Sequence, residues 1–375
     1  MLDKIIVIPD SFKNTMESKE VAEIIKDSLL KMNNNLNVLT YPIADGGEGT
    51  AAIFSKYLGL NLKKMKTTNA FNKEIEIEYG SDGKIAVIDI ASVVGFAANI
   101  GEKLNPSIAT TYGIGKVLKK ILTDGHRKIY VGLGGSITND LGLGMMSAMG
   151  VKFLDNDGKE FIPVGNTLAN ISKIDISEFN EDCEIICLSD VKSPLFGPTG
   201  AARMFARQKG ANDEMIEKLE EDGKKISNII SVMFGDFTMY PGSGAAGGLG
   251  YAFKTFLNAK MNSGIEEVLK ISNVEKEITD NTILVTGEGK FDNQSIQGKV
   301  ISGIVNLSKN KNAKVIVVAG CVDGVDELAG IDKVFACSVL DRSIEDIKKS
   351  CRDDLVNAVV NVYKYIEEKY FLNCN

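Results

Sequence analysis

Both ends of the chain alternate a buried strand, a polar loop and a helix, and this alternation restricts the fold more than any other feature of the sequence. Apolar runs at 4–9 and 37–42 predict strands, and a helical pattern begins between them at about residue 17. Strands separated by helices form parallel sheets with right-handed crossovers, so the ends predict an α/β fold. The same rhythm returns later, with strands predicted at 282–286, 314–319 and 333–337 and a terminal helix at 343–370.

The middle of the chain has a different pattern, in which strands are joined by short turns. The segments 62–70, 74–79 and 84–89 predict an antiparallel meander, and a meander after two β–α units marks a domain boundary near residue 65. A length of 375 residues also suits two domains. We therefore predict two α/β domains: a discontinuous parallel-sheet (Rossmann-like) domain, residues 1–65 and 285–375, and a second α/β domain inserted at 66–284.

The composition excludes several classes of function. A formal net charge of −7 and a sequence pI near 5.1 argue against a nucleic-acid or acidic-membrane partner. The six cysteines include no Cys-x-x-Cys pair, and the single histidine, His126, lies in a polar turn that predicts a surface position. Zinc sites and Ser-His-Asp or Cys-His catalysis are thereby disfavoured. No apolar run suits a signal peptide or a membrane span, so a cytoplasmic protein is predicted.

A glycine-rich loop follows the predicted strand at 128–131 and reads Gly-Leu-Gly-Gly-Ser-Ile-Thr-Asn-Asp over 132–140. At the start of a helix, such a loop can bind an anion through backbone N–H groups, because glycine lets a phosphate approach closely. The same residues suit a tight turn followed by a helix cap at Thr138 or Asn139. Taken alone, the loop supports both interpretations equally.

Polar loops that carry carboxylates follow most of the predicted strands. Open parallel sheets bind ligands at the carboxyl ends of their strands, where these loops lie. Turn formation and helix capping are sufficient to explain the residues of any single loop, but they explain the recurrence of carboxylates in all six loops less easily. Carboxylate oxygens suit Mg²⁺, which usually bridges to phosphate, and the candidate ligands are Asp10, Asp45 and Glu288. The six loops are 9–13, 44–48, 134–140, 189–194, 286–295 and 319–323.

Four lysines, Lys13, Lys209, Lys290 and Lys299, lie in or beside these loops. Phosphoryl transfer requires cations, a metal ion and a carboxylate that orients the attacking hydroxyl, so the residues fit that chemistry. No Gly-x-x-x-x-Gly-Lys-Ser/Thr motif occurs, and the first β–α turn lacks the Gly-x-Gly-x-x-Gly motif of dinucleotide sites. The glycines at 242–247 have that spacing but follow no clear strand. We interpret them as a closely packed helix start, with a nucleotide-phosphate contact as the alternative.

Seven separated motifs carry a family resemblance. They are Pro-Asp-Ser-Phe-Lys at 9–13, Ala-Asp-Gly-Gly-Glu-Gly-Thr at 44–50, Gly-Gly-Ser-Ile-Thr-Asn-Asp at 134–140, Ser-Asp-Val at 189–191 with Pro194 and Gly197, Gln-Lys-Gly-Ala at 208–211, Gly-Ala-Ala-Gly-Gly at 244–248, and Thr-Gly-Glu-Gly at 286–289 with Asp292, Gln294, Gly298 and Lys299. In this order, over essentially the whole chain, they resemble the bacterial glycerate kinases of the first class. The resemblance implies two α/β domains and an ATP- and Mg²⁺-dependent phosphorylation of D-glycerate.

Residue roles follow from the resemblance and from the chemistry of the side chains, for a site expected between the two domains. Lys13 and Lys209 are assigned to anionic groups, either the substrate carboxylate or the transferring phosphate. Asp190 is the first choice to orient and deprotonate the substrate hydroxyl, and Asp45 and Asp292 are the other candidates. The expected cofactor-binding residues are Gly134, Gly135, Ser136, Thr138, Asn139, Gly287, Glu288 and Lys299, and the expected Mg²⁺ ligands are Asp10, Asp45 and Glu288.

Other functions remain open from the sequence. One is a kinase of another small hydroxy acid. A nicotinamide-dependent oxidoreductase would need the dinucleotide loop that the first turn lacks, and a non-catalytic sensor of organic acids would bind ligand without consuming ATP. The family implies 2-phosphoglycerate as the product, with 3-phosphoglycerate as the alternative. The expected partner is a small-molecule substrate, with no nucleic acid or membrane, and a homodimer is left open.

Overall fold

The chain forms two structural units, each with its own sheet and hydrophobic core. The computed structural model describes residues 2–12, 15–179, 183–292, 299–309, 311–324, 330–339 and 342–371. The discontinuous unit comprises Met1–Ala44 and Ile265–Asn375, and the central unit comprises Asp45–Gly264.

The strands are β1 (Lys4–Pro9), β2 (Val38–Thr40), β3 (Asn61–Thr68), β4 (Glu74–Ser81), β5 (Ile85–Asp89), β6 (Lys128–Gly132), β7 (Lys152–Leu154), β8 (Glu160–Phe161), β9 (Lys173–Asp175), β10 (Glu184–Leu188), β11 (Lys260–Asn262), β12 (Thr282–Phe291), β13 (Lys314–Val322) and β14 (Lys333–Ala336). The α-helices are α1 (Ser18–Met32), α2 (Thr50–Leu58), α3 (Ala91–Val94), α4 (Tyr112–Thr123), α5 (Leu143–Ala148), α6 (Ala201–Phe205), α7 (Asp213–Phe234), α8 (Leu249–Leu257), α9 (Gly264–Ser272), α10 (Lys299–Lys309) and α11 (Ile344–Ile366).

The discontinuous unit is built on a parallel five-stranded sheet with the order β14-β13-β12-β1-β2. On β1, Ile5 and Val7 join a buried cluster with residues of α1 and α11, while Ile6 and Ile8 are fully buried outside that cluster. Successive side chains of a strand point to opposite faces, so both faces of β1 are covered. This burial explains why its sequence is a continuous apolar run.

The central unit contains a six-stranded sheet with the order β11-β10-β6-β5-β4-β3. Strands β5, β6, β10 and β11 are parallel, whereas β3, β4 and β5 form the predicted antiparallel meander. Helix α4 buries Ile114, Val117, Leu118 and Ile121, which recur at helical spacing, in the core of this unit. Strands β7 and β8 pair antiparallel and form a short hairpin in the same unit.

The predicted fold class of two α/β domains is confirmed, but the structure divides the chain at 44/45 and 264/265 rather than at 65/66 and 284/285. Non-local contacts cause the difference. Strand β3 pairs with β4 along its whole length. The carboxylate of Asp89, at the end of β5, accepts hydrogen bonds from the backbone N–H groups of Gly49 and Ala51 at the start of α2. Helix α2 and strand β3 therefore belong to the central unit.

Two strands of the discontinuous unit are longer than the sequence predicts. Strand β12 continues past Thr286 to Phe291, and β13 continues past Ala319 to Val322, through segments predicted as loops. The two strands keep pairing with each other, with Lys290 opposite Cys321. Each extension supplies the hydrogen-bond partners of the other. As a result, Glu288 and Lys290 lie on one face of β12.

Candidate active site

The carboxyl ends of the parallel strands in the central unit carry several of the predicted site residues. Asp190 follows β10 by two residues, and its Oδ1 accepts a hydrogen bond of 2.7 Å from the hydroxyl of Ser263, which follows β11. The backbone N–H of Ser189 donates to the carbonyl of Asn262 at 3.0 Å. The half-buried Asp190 carboxylate is therefore oriented by the neighbouring strand. This position agrees with the rule that ligands bind at the carboxyl ends of parallel strands.

The loop that contains Asp45 packs directly against the glycine-rich loop. The N–H of Gly134 donates to the carbonyl of Gly46 at 2.9 Å, and a Cβ at Gly134 would lie 2.5 Å from the Cα of Gly47. Asp45 Oδ1 accepts from the N–H of Gly47 at 2.9 Å and so fixes the turn. Close backbone contact thus accounts for the glycine at 134. Its N–H is used in that contact, which corrects the prediction that this group binds an anion.

The glycine-rich loop does not lead directly into a helix. Helix α5 begins at Leu143, has six residues and has Gly142 as its N-cap, so the alternative of a helix cap at Thr138 or Asn139 is wrong. Gly135 and Ser136 accordingly do not lie at the N-terminus of α5, which removes the argument that the dipole of this helix binds an anion. The loop is held instead by neighbouring backbone, since the N–H of Ile137 donates to the carbonyl of Val94 at 2.9 Å.

Lys209 lies inside the central unit and supports the glycine-rich loop. Its side-chain ammonium donates to the carbonyl of Thr138 at 2.7 Å and to the hydroxyl of Ser136 at 3.0 Å, and the residue is only 2% exposed. Burial lowers the pKa of Lys209 to about 7, although the nearby carboxylate of Asp140 opposes the shift. The sequence assigned this lysine to an anionic ligand, but its two described hydrogen bonds are to the protein.

Two buried carboxylates, neither of which had a role predicted from the sequence, hold the loops of the central unit by accepting hydrogen bonds. Asp140 accepts hydrogen bonds of 2.8 Å from both the N–H and the hydroxyl of Thr111, and burial raises the pKa of its carboxyl. Asp89 accepts from Gly49 at 3.1 Å and from Ala51 at 2.8 Å, and burial raises its pKa to about 7. A carboxylate at the last position of the buried strand β5 is the signal that could have identified Asp89.

Two buried polar atoms of the glycine-rich loop lack a protein partner among the described residues. They are Oγ1 of Thr138 and Oδ1 of Asn139, in side chains that are at most 1% exposed. Buried polar atoms nearly always form hydrogen bonds, so these two indicate contact with water or a ligand. The predicted helix start at 242–247 packs against the same loop, because a Cβ at Gly247 would lie 2.0 Å from the carbonyl oxygen of Thr138.

In the discontinuous unit, the predicted residues gather where β1 and β12 lie side by side. The N–H of Asp10 donates to the carbonyl of Gly287 at 2.8 Å, which places Asp10 beside the extended end of β12 that carries Glu288. Lys290 forms ion pairs with Asp323 at 2.8 Å and with Asp292 at 3.6 Å. Lys13 and the side chain of Lys299 lie outside the described residues.

The fit of a divalent cation can be tested on the carboxylates. In the part of the chain that the structure describes, no group of three or more His, Cys, Asp or Glu side chains is arranged as a metal site. Mg²⁺ needs less, because it commonly takes one or two carboxylates and completes its shell with phosphate and water. Asp10 and Glu288 on adjacent strands meet that smaller requirement. The buried hydroxyl of Thr286, which has no hydrogen-bond partner among the described residues, is a neighbouring polar group on β12.

His126 is a structural residue and not the surface residue that was predicted. It is 2% exposed, its Nδ1 lies 2.9 Å from the carbonyl of Ile121, and its Nε2 lies 2.7 Å from the hydroxyl of Ser81. The carbonyl can only accept, so Nδ1 carries the proton and Nε2 accepts from the serine. Ser81 is itself fully buried, which leaves this pair inaccessible to a substrate.

No helix among the described residues is long and apolar enough to cross a membrane.

Comparisons with known proteins show which family the chain belongs to. The chain is 36% identical over 369 residues to the glycerate 2-kinase of Escherichia coli strain K12, covering 96% of this chain and 97% of the relative. It is 34% identical over 381 residues to a glycerate kinase of Bacillus cereus, covering 98% and 100% of the two chains. A solved structure described as a candidate glycerate kinase 2 from Salmonella typhimurium LT2 matches with a TM-score of 0.83 and 31% identity, covering 98% of this chain and 99% of that one. The sequence model of the glycerate kinase family matches residues 5–367. The chain therefore belongs to the glycerate kinase family and is a kinase.

Proposed function

We propose that this protein transfers the γ-phosphoryl group of ATP to the 2-hydroxyl of D-glycerate and forms 2-phosphoglycerate and ADP, as an enzyme of the first bacterial class of the family. The name of the Escherichia coli relative, glycerate 2-kinase, supports the choice of hydroxyl. The observation that carries the proposal is the Asp190 carboxylate, which is held by Ser263 at the carboxyl edge of the central sheet.

Asp190 has the chemistry of the base that such a transfer requires. The substrate hydroxyl would donate its proton to the carboxylate as its oxygen forms a bond to the γ-phosphorus, while the bond from that phosphorus to the ADP oxygen breaks. The hydrogen bond from Ser263 limits the carboxylate to one orientation, which favours a productive approach. Asp292 is a weaker candidate because its carboxylate is 3.6 Å from the ammonium of Lys290. Asp45 is also weaker, because its Oδ1 already stabilises the turn at Gly47.

The remaining roles divide between the two units. Gly135, Ser136, Thr138 and Asn139 would contact an anionic group, and Lys209 would position that loop from beneath instead of touching the ligand. Asp10 and Glu288 would hold Mg²⁺, which supplies positive charge to the phosphates of ATP when it is bound. Gly287 would form the backbone beside that metal.

A coupled assay of ADP release with D-glycerate, ATP and Mg²⁺ tests the activity, and ³¹P NMR of the product tests the position. We expect 2-phosphoglycerate, whereas 3-phosphoglycerate would contradict the assignment of the hydroxyl. Replacement of Asp190 by Asn should lower kcat by about 10²–10⁴-fold. The matched change Ser263→Ala keeps the carboxylate and should lower kcat by about tenfold at most, the value of one hydrogen bond. Near-normal turnover of Asp190→Asn with a native fold would exclude this residue as the base.

A further inference from the structure

The discontinuous unit contains a cavity of about 610 Å³, and apart from Asp10 and Glu288 its lining residues have no role in the reaction described above. Residues from the carboxyl ends of β1, β12, β13 and β14 line one side, and the beginning of α11 lines the other. In the sheet of this unit, β2 lies on one side of β1, and β12, β13 and β14 lie on the other side. The order in which strands are added to the sheet therefore reverses between β1 and β12, and ligands of open parallel sheets bind outside such a switch point. The volume lies within the range of about 300–1,000 Å³ that is typical of small-ligand sites.

Part of the lining of the cavity is uncharged. It includes the thiols of Cys337 and Cys351 and the apolar side chains of Phe12 and Ile347. Burial raises the pKa of Cys337 to about 12, so this thiol is uncharged at neutral pH. An aromatic heterocycle is a suitable occupant for such a surface, because it buries apolar area without leaving a charge unpaired.

The two cations among the described residues of the lining, Lys290 and Arg342, are paired with carboxylates. The guanidinium of Arg342 donates to Asp354 at 2.7 Å, and the ammonium of Lys290 is 2.8 Å from Asp323. These pairs reduce the attraction that the cavity would offer to phosphate groups. The part of a ligand that enters the cavity is therefore uncharged.

One edge of the cavity carries carboxylates. Asp10, which is 8% exposed, and Glu288 line it at the ends of β1 and β12. Two carboxylates repel phosphates unless a divalent cation lies between them. A ligand with a neutral heterocyclic end and a metal-bound anionic end matches both parts of the lining.

We propose that this cavity binds the base and ribose of the nucleotide, with the phosphates directed towards Asp10 and Glu288. This inference rests on the proposed use of ATP. The nucleoside is thereby assigned to the discontinuous unit. The glycine-rich loop of the central unit would then bind other anionic groups of the reaction.

Thiol labelling tests the placement without measuring catalysis. Cys321 lines the cavity and is half-buried, while Cys183 is a half-buried cysteine of the central unit and serves as the control within the same molecule. Labelling by iodoacetamide at mildly alkaline pH, read by mass spectrometry, should slow about tenfold at Cys321 when Mg²⁺·ADP is present at ten times its Kd. We expect no change at Cys183, and no protection of Cys321 by D-glycerate alone. Unchanged labelling of Cys321 with saturating Mg²⁺·ADP, or its protection by D-glycerate alone, would overturn the placement.

A pair of variants on α11 provides a second measurement. Ile347→Trp places a larger side chain in the cavity and should raise the Kd of Mg²⁺·ADP by about tenfold or more, because the indole occupies space that the nucleoside needs. Val356→Trp changes a residue of the same helix that is 39% exposed and does not line the cavity, so it should bind nucleotide normally. Equal Kd values for both variants would refute the proposal. Failure of D-glycerate phosphorylation, with Cys321 still protected by Mg²⁺·ADP, would refute the proposed reaction and leave the nucleotide site standing.

Discussion

Replacement of the buried Lys209 by methionine should change how the stability of the protein depends on pH. The side chain is 2% exposed, and burial lowers its pKa from 10.5 to about 7 in the folded state. Below pH 7 the lysine is protonated in both folded and unfolded chains, and the folded state bears the full cost of a buried charge. Between pH 7 and the unfolded pKa, the unfolded chain binds more protons, so the free energy of unfolding rises with pH. This contribution amounts to about 2 kcal/mol between pH 7 and pH 9.

The assay is urea denaturation of the wild type and of Lys209→Met across that pH range. We expect the free energy of unfolding of the wild type to increase relative to the variant by about 2 kcal/mol from pH 7 to pH 9. Ser136→Ala is the matched control, because it removes one hydrogen bond of the same lysine without removing a titratable group. Its curve should be displaced by about 1 kcal/mol and remain parallel to that of the wild type. Parallel curves for the wild type and Lys209→Met would refute the reasoning.

Two further changes probe the loops of the central unit. Gly134→Ala would place a Cβ 2.5 Å from the Cα of Gly47 and should lower the free energy of unfolding by about 1–3 kcal/mol. Its control is Gly303→Ala in α10, where the atom nearest to the new Cβ would be 3.4 Å away. This change should raise the free energy of unfolding by up to about 1 kcal/mol. Equal effects of the two changes would contradict the proposed clash. Asp89→Asn removes a carboxyl whose pKa is raised to about 7, so the folded chain binds more protons than the unfolded chain above the unfolded pKa near 3.8. Relative to this variant, the wild type should lose about 2 kcal/mol from pH 5 to pH 7 in the same denaturation assay, and a pH-independent difference would contradict the shifted pKa.

The sequence was sufficient for elements whose pattern is local. The run at 4–9 is apolar at every buried position because β1 is covered on both faces, and α4 shows the spacing of a helix with one buried face. Both patterns can be recognised without knowledge of a partner. The parallel arrangement of each sheet follows from the order of such elements, which is why the fold class was predictable.

The incorrect predictions concern residues whose environment is set by a distant partner. His126 has polar sequence neighbours, yet Ser81 and Ile121 enclose it in the core. The segment 287–290 is rich in glycine and charge and has the composition of a loop, but pairing with β13 extends it as a strand. The first domain boundary differs from the predicted one for the same reason. Helix α2 belongs to the central unit because its first backbone N–H groups donate to Asp89, which lies far along the chain.

The candidate site shows the same division. The sequence identified the carboxylate after β10 and the glycine-rich loop after β6, because strand ends are visible in the apolar pattern. It could not show that the glycine at 134 is required by contact with Gly47, or that Lys209 is buried beneath the loop. Both facts depend on backbone from other parts of the sequence.

The pairing of β1 with β12 also has a consequence for the order in which the protein can fold during synthesis. Lys4 lies opposite Thr282 in the sheet, so β1 cannot pair with β12 until the ribosome has translated the whole central unit. The central unit is continuous from Asp45 to Gly264 and has all of its own strands earlier. Chains fold domain by domain as they emerge from the ribosome. The apolar β1 therefore lacks its partner β12 while the central unit folds, and its unpaired edge favours aggregation or chaperone binding during that interval.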